Sequence, residues 1–226
     1  MHIEAGVVQG AKMLLSYGTA AGVVGMTLKY SYDNIKSNGL LSLILKSTIT
    51  TLLVLCFFEL FPHYPIGISE VHLILGTTIF LVFGLAPAAI GLALGLLIQG
   101  LLFAQFDLPQ YGINVTTLLA SLFMLNEASK RIVPSDIAYK DITYKQMIKL
   151  SVIWEGAIVS WVAFWAIYGQ GFSAENLHAI ATFSGSYMLV VIIEPLIDLA
   201  VLAAVKAFHS DRCNIIFDKR LTNCRA

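Results

Sequence analysis

The sequence predicts an all-α membrane protein of about seven transmembrane helices, and three observations carry that expectation. Hydrophobic residues make up 58% of the 226-residue chain and charged residues 12%, with a mean hydropathy of +0.79. A soluble domain carries about 25% charged residues, so the composition points to a lipid environment. Apolar runs of about 20 residues recur, enough at ~1.5 Å per residue to cross the hydrocarbon. The third observation is charge placement. Lys29, Lys36, Lys130, Arg131, Lys140, Lys145, Lys149, Lys206, Arg212, Lys219, Arg220 and Arg225 lie in or beside alternate connections. His2, His63, His72 and His178 lie in or beside the others, which carry no Lys or Arg. Basic residues resist translocation, so the Lys/Arg side is expected to be cytoplasmic, with the N-terminus outside and the C-terminus inside.

The spans follow in order. Residues 5–28 and 40–61 give the first two. The apolar run 71–106 is too long for one helix; Gly84 and Pro87 divide it into a third span ending near 83 and a fourth over 87–106. The fifth covers 114–126 and extends toward 132, with Asn114 as its N-cap. Residues 148–168 give the sixth and 179–208 the seventh, where Pro195 is expected to kink the helix. Residues 1–208 form a single transmembrane domain and 209–226 a cytoplasmic tail. Lys12 and Lys46 fall inside spans, the latter near an end where it can snorkel. The start, Met-His-Ile-Glu, lacks the basic segment and cleavage site of a signal peptide. Cys56, Cys213 and Cys224 make no disulfide framework, and with His209 they lack a closed zinc spacing. A formal net charge of +0 gives no reason to expect nucleic acid as a partner.

The candidate chemistry gathers on the outer side. A free Met1 amine, the amide nitrogen of His2 and its imidazole can close two fused chelate rings on one metal ion, leaving a position for another imidazole. Nitrogen donors of this kind suit nickel and copper, and imidazole also suits cobalt and zinc. His72, where the second outer loop meets the third span, is the best partner. His63, between Pro62 and Pro65, is an alternative ligand or a residue just behind the ligands. That loop holds two prolines and Gly67 and suits a rigid lid. Glu4, Glu59, Glu70 and Asp107 can orient imidazoles or attract cations, with solvated loop carboxylates as the default expectation, and His178 is expected to sit at the interface. Glu155, Glu194 and Asp198 fall within spans, where charge is costly and faces other helices. Glu194 and Asp198 share a helix face at i,i+4, a pattern for structural pairing or for a proton or ion path. Gly6/Gly10, Gly18/Gly22 and Gly91/Gly95 permit close helix approach, whether inside the bundle or to a membrane partner.

Together these residues resemble the cobalt/nickel substrate-binding membrane component, CbiM/NikM type, of energy-coupling factor (ECF) ABC transporters. The resemblance rests on Met1-His2-Ile3-Glu4-Ala5-Gly6, on Pro65, Gly67, Ser69 and His72, and on Gln99-Gly100-Leu101-Leu102-Phe103 followed by Tyr111-Gly112-Ile113-Asn114. It covers about the first half of the chain. It departs from the family pattern at Gly6-Val7-Val8 and over residues 104–110, which bear on pocket shape and metal choice.

The resemblance implies a bundle with an extra N-terminal helix, and a substrate ion, Co²⁺ or Ni²⁺, held by Met1, His2 and His72, with His63 as a further candidate. It implies no catalytic residues and no resident cofactor. It places the chain in the inner (plasma) membrane of a bacterium or archaeon. Partners would be membrane lipid, a transmembrane coupling subunit and cytoplasmic ATPases, since no Gly-x-x-x-x-Gly-Lys-Ser/Thr loop occurs here. The rival expectation is a membrane-anchored metalloenzyme or copper-handling assembly factor with an N-terminal metal brace. It needs an acid/base or redox partner, for which Tyr64 and Glu70 are the candidates. An S-component for an organic vitamin would have an aromatic-rich pocket with few histidines.

Overall fold

The computed structural model describes residues 2–208 and 216–222 as a helical bundle with a small β-structure at one end. α1 (Met13–Asn38) and α2 (Leu40–Glu59) are joined by Gly39 alone, at a φ of 85° that glycine tolerates and other residues rarely adopt. An antiparallel hairpin follows, β1 (Tyr64–Ile66) and β2 (Ser69–Val71), pairing Tyr64 with Val71 and Ile66 with Ser69. Then come α3 (Gly76–Phe83), α4 (Leu85–Leu102), α5 (Tyr111–Ile132), α6 (Tyr144–Gln170), α7 (Ala174–Met188), α8 (Val190–Phe208) and the short α9 (Lys219–Thr222). Five helical stretches are long and apolar enough to cross a membrane: 40–59, 85–102, 105–132, 144–170 and 174–204.

Several local expectations change. The first helix does not start at residue 5. Residues 2–4 are held in extended form by the hairpin: the Glu70 N–H donates to the His2 carbonyl (3.1 Å) and the Glu4 N–H to the Ile68 carbonyl (3.0 Å). Gly6 and Gly10 then take φ of 98° and 61°, outside the helical region, so α1 begins at Met13. Lys12 is therefore exposed rather than inside a span, its Nζ donating to the Gly169 carbonyl at 2.9 Å. It is a cation at the hairpin end, against the charge pattern read from the loops.

The third span is broken. Non-helical backbone over residues 72–75 precedes an α3 of 8 residues, and Leu75 at the junction has a left-handed φ of 53°. Gly76 at the break lies so close to Trp154 that a Cβ would sit 2.2 Å from its ring. Apolar character alone cannot distinguish this irregular segment from helix.

Asn114 is not a cap, because α5 starts at Tyr111. Lys46 is buried rather than snorkelling, within electrostatic reach of Asp218.

The seventh span is divided, though not at Pro195, which lies inside the continuous α8. The chain tightens at Leu189, whose N–H bonds the Ser186 carbonyl (3.2 Å) while the Ile192 N–H bonds the Leu189 carbonyl (3.1 Å), and this separates α7 from α8.

At the opposite end from the hairpin, residues 217–222 return to the bundle. The Asp218 N–H donates to the Val82 carbonyl (2.8 Å), and the buried Arg220 donates to the Val133 carbonyl and the Tyr139 hydroxyl (2.9 Å each).

Of the small-residue pairs, Gly91 and Gly95 serve internal packing. A Cβ at Gly91 would lie 2.4 Å from Thr50 Oγ1, and one at Gly95 2.6 Å from Val54 Cγ1. Nothing lies within 4 Å of a Cβ at Gly18 or Gly22. Gly91→Ala should therefore destabilise the bundle by about 1–3 kcal/mol through overpacking. Gly18→Ala should leave stability unchanged or raise it by up to ~1 kcal/mol through helix propensity. Unfolding of both variants in detergent checks the pair; equal effects would show that α2 and α4 do not depend on this contact.

Candidate metal centre

Residues two apart on an extended chain point to the same side. β2 and the residue after it therefore project Glu70 and His72 together. The N-terminal segment pairs alongside as a third, short strand: Ile3 bridges Ser69, and the Ser69 hydroxyl donates to the His2 carbonyl at 2.9 Å. Asn114 fixes the strand from the other side, its Oδ1 accepting the Ile3 N–H at 3.0 Å. These bonds set His2 opposite Glu70.

The result is a compact cluster. His2 Nδ1 lies 2.9 Å from Glu70 Oε2, and His72 Nε2 lies 3.5 Å from the same oxygen. Among the described residues, the group with metal-ligand geometry is His2, Glu70 and His72, whose donor atoms all lie within 4.8 Å of one another. Bonds of ~2.1 Å put the ligand atoms of one ion no more than about 4.2 Å apart, so both carboxylate contacts already suit shared coordination. Phe58 packs against both imidazoles, with centroid distances of 5.4 and 5.3 Å, and fixes their ring planes. Gln99 lies beside His2, and a cleft of about 150 Å³ lined by Glu59, His63, Glu70, Gln99 and Asp107 opens next to the cluster.

The protonation states favour metal binding. Burial pushes the His2 imidazole below its ordinary range, and it does the same to His72. Burial alone would raise Glu70, but the His2 hydrogen bond and charge outweigh it and hold the carboxyl below its usual range. Neutral imidazoles beside an ionised carboxylate are the forms that coordinate a cation.

Of the residues singled out from sequence, His2 and His72 are brought together, with ring centroids 5.2 Å apart. Met1 lies outside the described residues, as do His209, Cys213 and Cys224. His63 is exposed and stacks on the His72 ring at 5.0 Å and 7°, covering it from outside the group of three. His178 is exposed on α7. Glu70 is the residue that sequence reading undervalues; its i,i+2 spacing from His72 in a β-prone stretch is the available signal. Asn114, expected as a cap, is instead the anchor of the N-terminal strand, and no local pattern marks that role.

A family described as CbiM, cobalt uptake substrate-specific transmembrane region, matches residues 2–212. A solved structure described as "Crystal Structure of an Truncated Transition metal Transporter" superposes with a TM-score of 0.70 at 18% identity, covering 93% of this chain and 100% of that one. At that identity the likeness speaks for the fold. No curated relative matches. Since the family match runs over nearly the whole length, this chain belongs to the CbiM family of cobalt uptake transmembrane components.

Proposed function

We propose that the chain captures a divalent cobalt or nickel ion at the outer face of a prokaryotic plasma membrane, as the substrate-binding subunit of an ECF-type importer. The observation that supports this most is the buried convergence of His2, Glu70 and His72, built by pairing the N-terminal strand onto the hairpin. The solved protein of similar fold is described as a transition metal transporter, which is consistent with such a substrate. In this reading the ion leaves its water shell at the cleft lined by Glu59, Glu70 and Asp107. It is then held by the Met1 amine, the His2 nitrogens, His72 and the Glu70 carboxylate. Removing a bare dication from water is costly unless strong donors replace the shell, and one carboxylate offsets half its charge. His63, stacked on His72, closes the outward side. Separate ATPases, acting through a transmembrane coupling subunit, supply the energy for release on the cytoplasmic side.

Three tests follow from the proposed ligands and orientation. Titrating cobalt or nickel into the purified chain should show His72→Ala weakening binding more than about 100-fold. His63→Ala, a residue supporting a ligand, should weaken it by about 10-fold or less. One extra residue before Met1 moves the amine by ~3.8 Å and should cost as much as His72→Ala. An extended chain with unchanged affinity would remove the amine from the ligand set.

The pH dependence has a definite sign. Closing the site lowers the pKa of His2 and His72 from the ordinary value of about 6.5, so an open site binds more protons than a closed one. Closure is fully favoured above that value and is lost as pH falls through and below it. Affinity measured from about pH 7.5 to 5 should decline on the acid side; a flat profile would contradict histidine ligation.

The orientation rests on the loop charges. A cysteine replacing the exposed Tyr64 should react with a membrane-impermeant thiol reagent in intact cells, while one replacing Ser135 should not. The reversed result would place the histidine cluster in the cytoplasm and end the import reading.

A further inference from the structure

A second polar cluster lies deep in the bundle, away from the histidines. Glu155 on α6 and Glu194 and Asp198 on α8 are at most 1% exposed. They converge with Tyr187 of α7 and with Thr77 and Thr78, the first turn of α3 at the break in the third span. The Glu155 and Glu194 carboxyls face one another, and Tyr187 is turned to the same pair. Asp198 is separately satisfied: it accepts the Thr78 hydroxyl, and Ser151 donates to it at 3.4 Å.

The acidic pair is not satisfied. By strict geometry neither oxygen of Glu194, nor Glu155 Oε2, nor the Tyr187 hydroxyl makes a hydrogen bond; the donors nearest the pair are the Tyr187 hydroxyl beside Glu155 and the Thr77 N–H beside Glu194. Two ionised carboxylates are acceptors alone, so neither can serve the other. Among the described residues no Lys, Arg or His pairs with any of the three acids. Three negative charges without a counter-ion would be prohibitive in this setting.

Two occupants can resolve the imbalance, a cation or protons. A cation needs the donor atoms drawn in around one point, and among the described residues that condition is met at His2, Glu70 and His72, not here. A proton needs no cavity. Placed on either glutamate it converts an acceptor into a donor aimed at its neighbour, leaving a carboxyl oxygen for Tyr187.

We propose that Glu155 and Glu194 form an intramembrane proton-binding site, holding protons at neutral pH while Asp198 takes its donors from Thr78 and Ser151. The titratable groups facing the pair are Tyr187 from α7 and Asp198 from α8; α3 contributes the Thr77 N–H beside Glu194 and the Thr78 hydroxyl on Asp198, and α6 adds the Ser151 hydroxyl on Asp198. The protons are part of the packing between α3, α6 and α8. Admitting water along this seam would let them leave and charge the pair, so their retention holds the broken third span in place. His72 is joined to Thr77 and Thr78 by a short stretch of chain, so a shift of the outer cluster reaches this seam directly.

The test is an infrared spectrum of the purified full chain in detergent at about pH 8, where exposed carboxyls are ionised. Wild type should show the carbonyl band of a protonated carboxylic acid, slow to shift in D₂O. Glu155→Gln together with Glu194→Gln should remove most of that band, leaving at most a remainder that Asp198→Asn removes, while Glu4→Gln at the surface keeps it whole. Glutamine mimics the neutral acid, so the double variant should fold; if it does not, each single variant should weaken or shift the band. A wild-type spectrum without the band would overturn the proposal. So would elemental analysis finding a tightly held cation that is lost with either glutamate.

Discussion

The backbone pairing of residues 2–4 with the hairpin is the constraint on which the hairpin end of the molecule depends. Few hydrogen bonds are involved: His2 and Glu4 with the strand beside them, and Ile3 with Asn114. They fix residues 2–4 as a short strand with His2 and Ile3 buried. Without them His2 has no fixed position relative to Glu70. The burial of Ile3, Val7 and Val8 supplies the apolar contact that holds this strand against the bundle.

The pairing also explains why α1 starts late. Residues committed to the strand cannot be helical, and the glycines at positions 6 and 10 make the reversal with left-handed backbone. The same logic governs the segment after the hairpin. Irregular backbone carries the buried His72 on from the strand, turns at Leu75, and becomes helix only at Gly76. Irregular backbone at this depth is tolerated because it is enclosed by protein rather than by lipid. The break gives the fold two polar centres, one built on the strand side and one at the first turn of α3.

Much of this is legible in the sequence. Composition and run length give the membrane class, whereas the division between α7 and α8 at Leu189 falls short of Pro195, the break signal read in that span. His2 and His72 are identifiable because the resemblance links two positions 70 residues apart. What local patterns cannot supply is long-range pairing. Glu70 looks like an ordinary loop carboxylate until the N-terminal strand lies beside it. Asn114 looks like a cap until Ile3 donates to it. Lys12 reads as part of a span because its neighbours are apolar, and the strand's claim on residues 2–4 moves it to the surface. Glu155 and Glu194, on separate helices, likewise become a pair only in three dimensions.

The central claim is that a metal ion is held by imidazoles from two distant parts of the chain together with a carboxylate. An X-ray absorption spectrum of the cobalt-loaded chain tests it most directly. The expected first shell contains two imidazole rings and at least one oxygen at about 2.0–2.2 Å, and loses one ring in His72→Ala. A shell made of oxygen alone, or one unaffected by removing either His2 or His72, would contradict it.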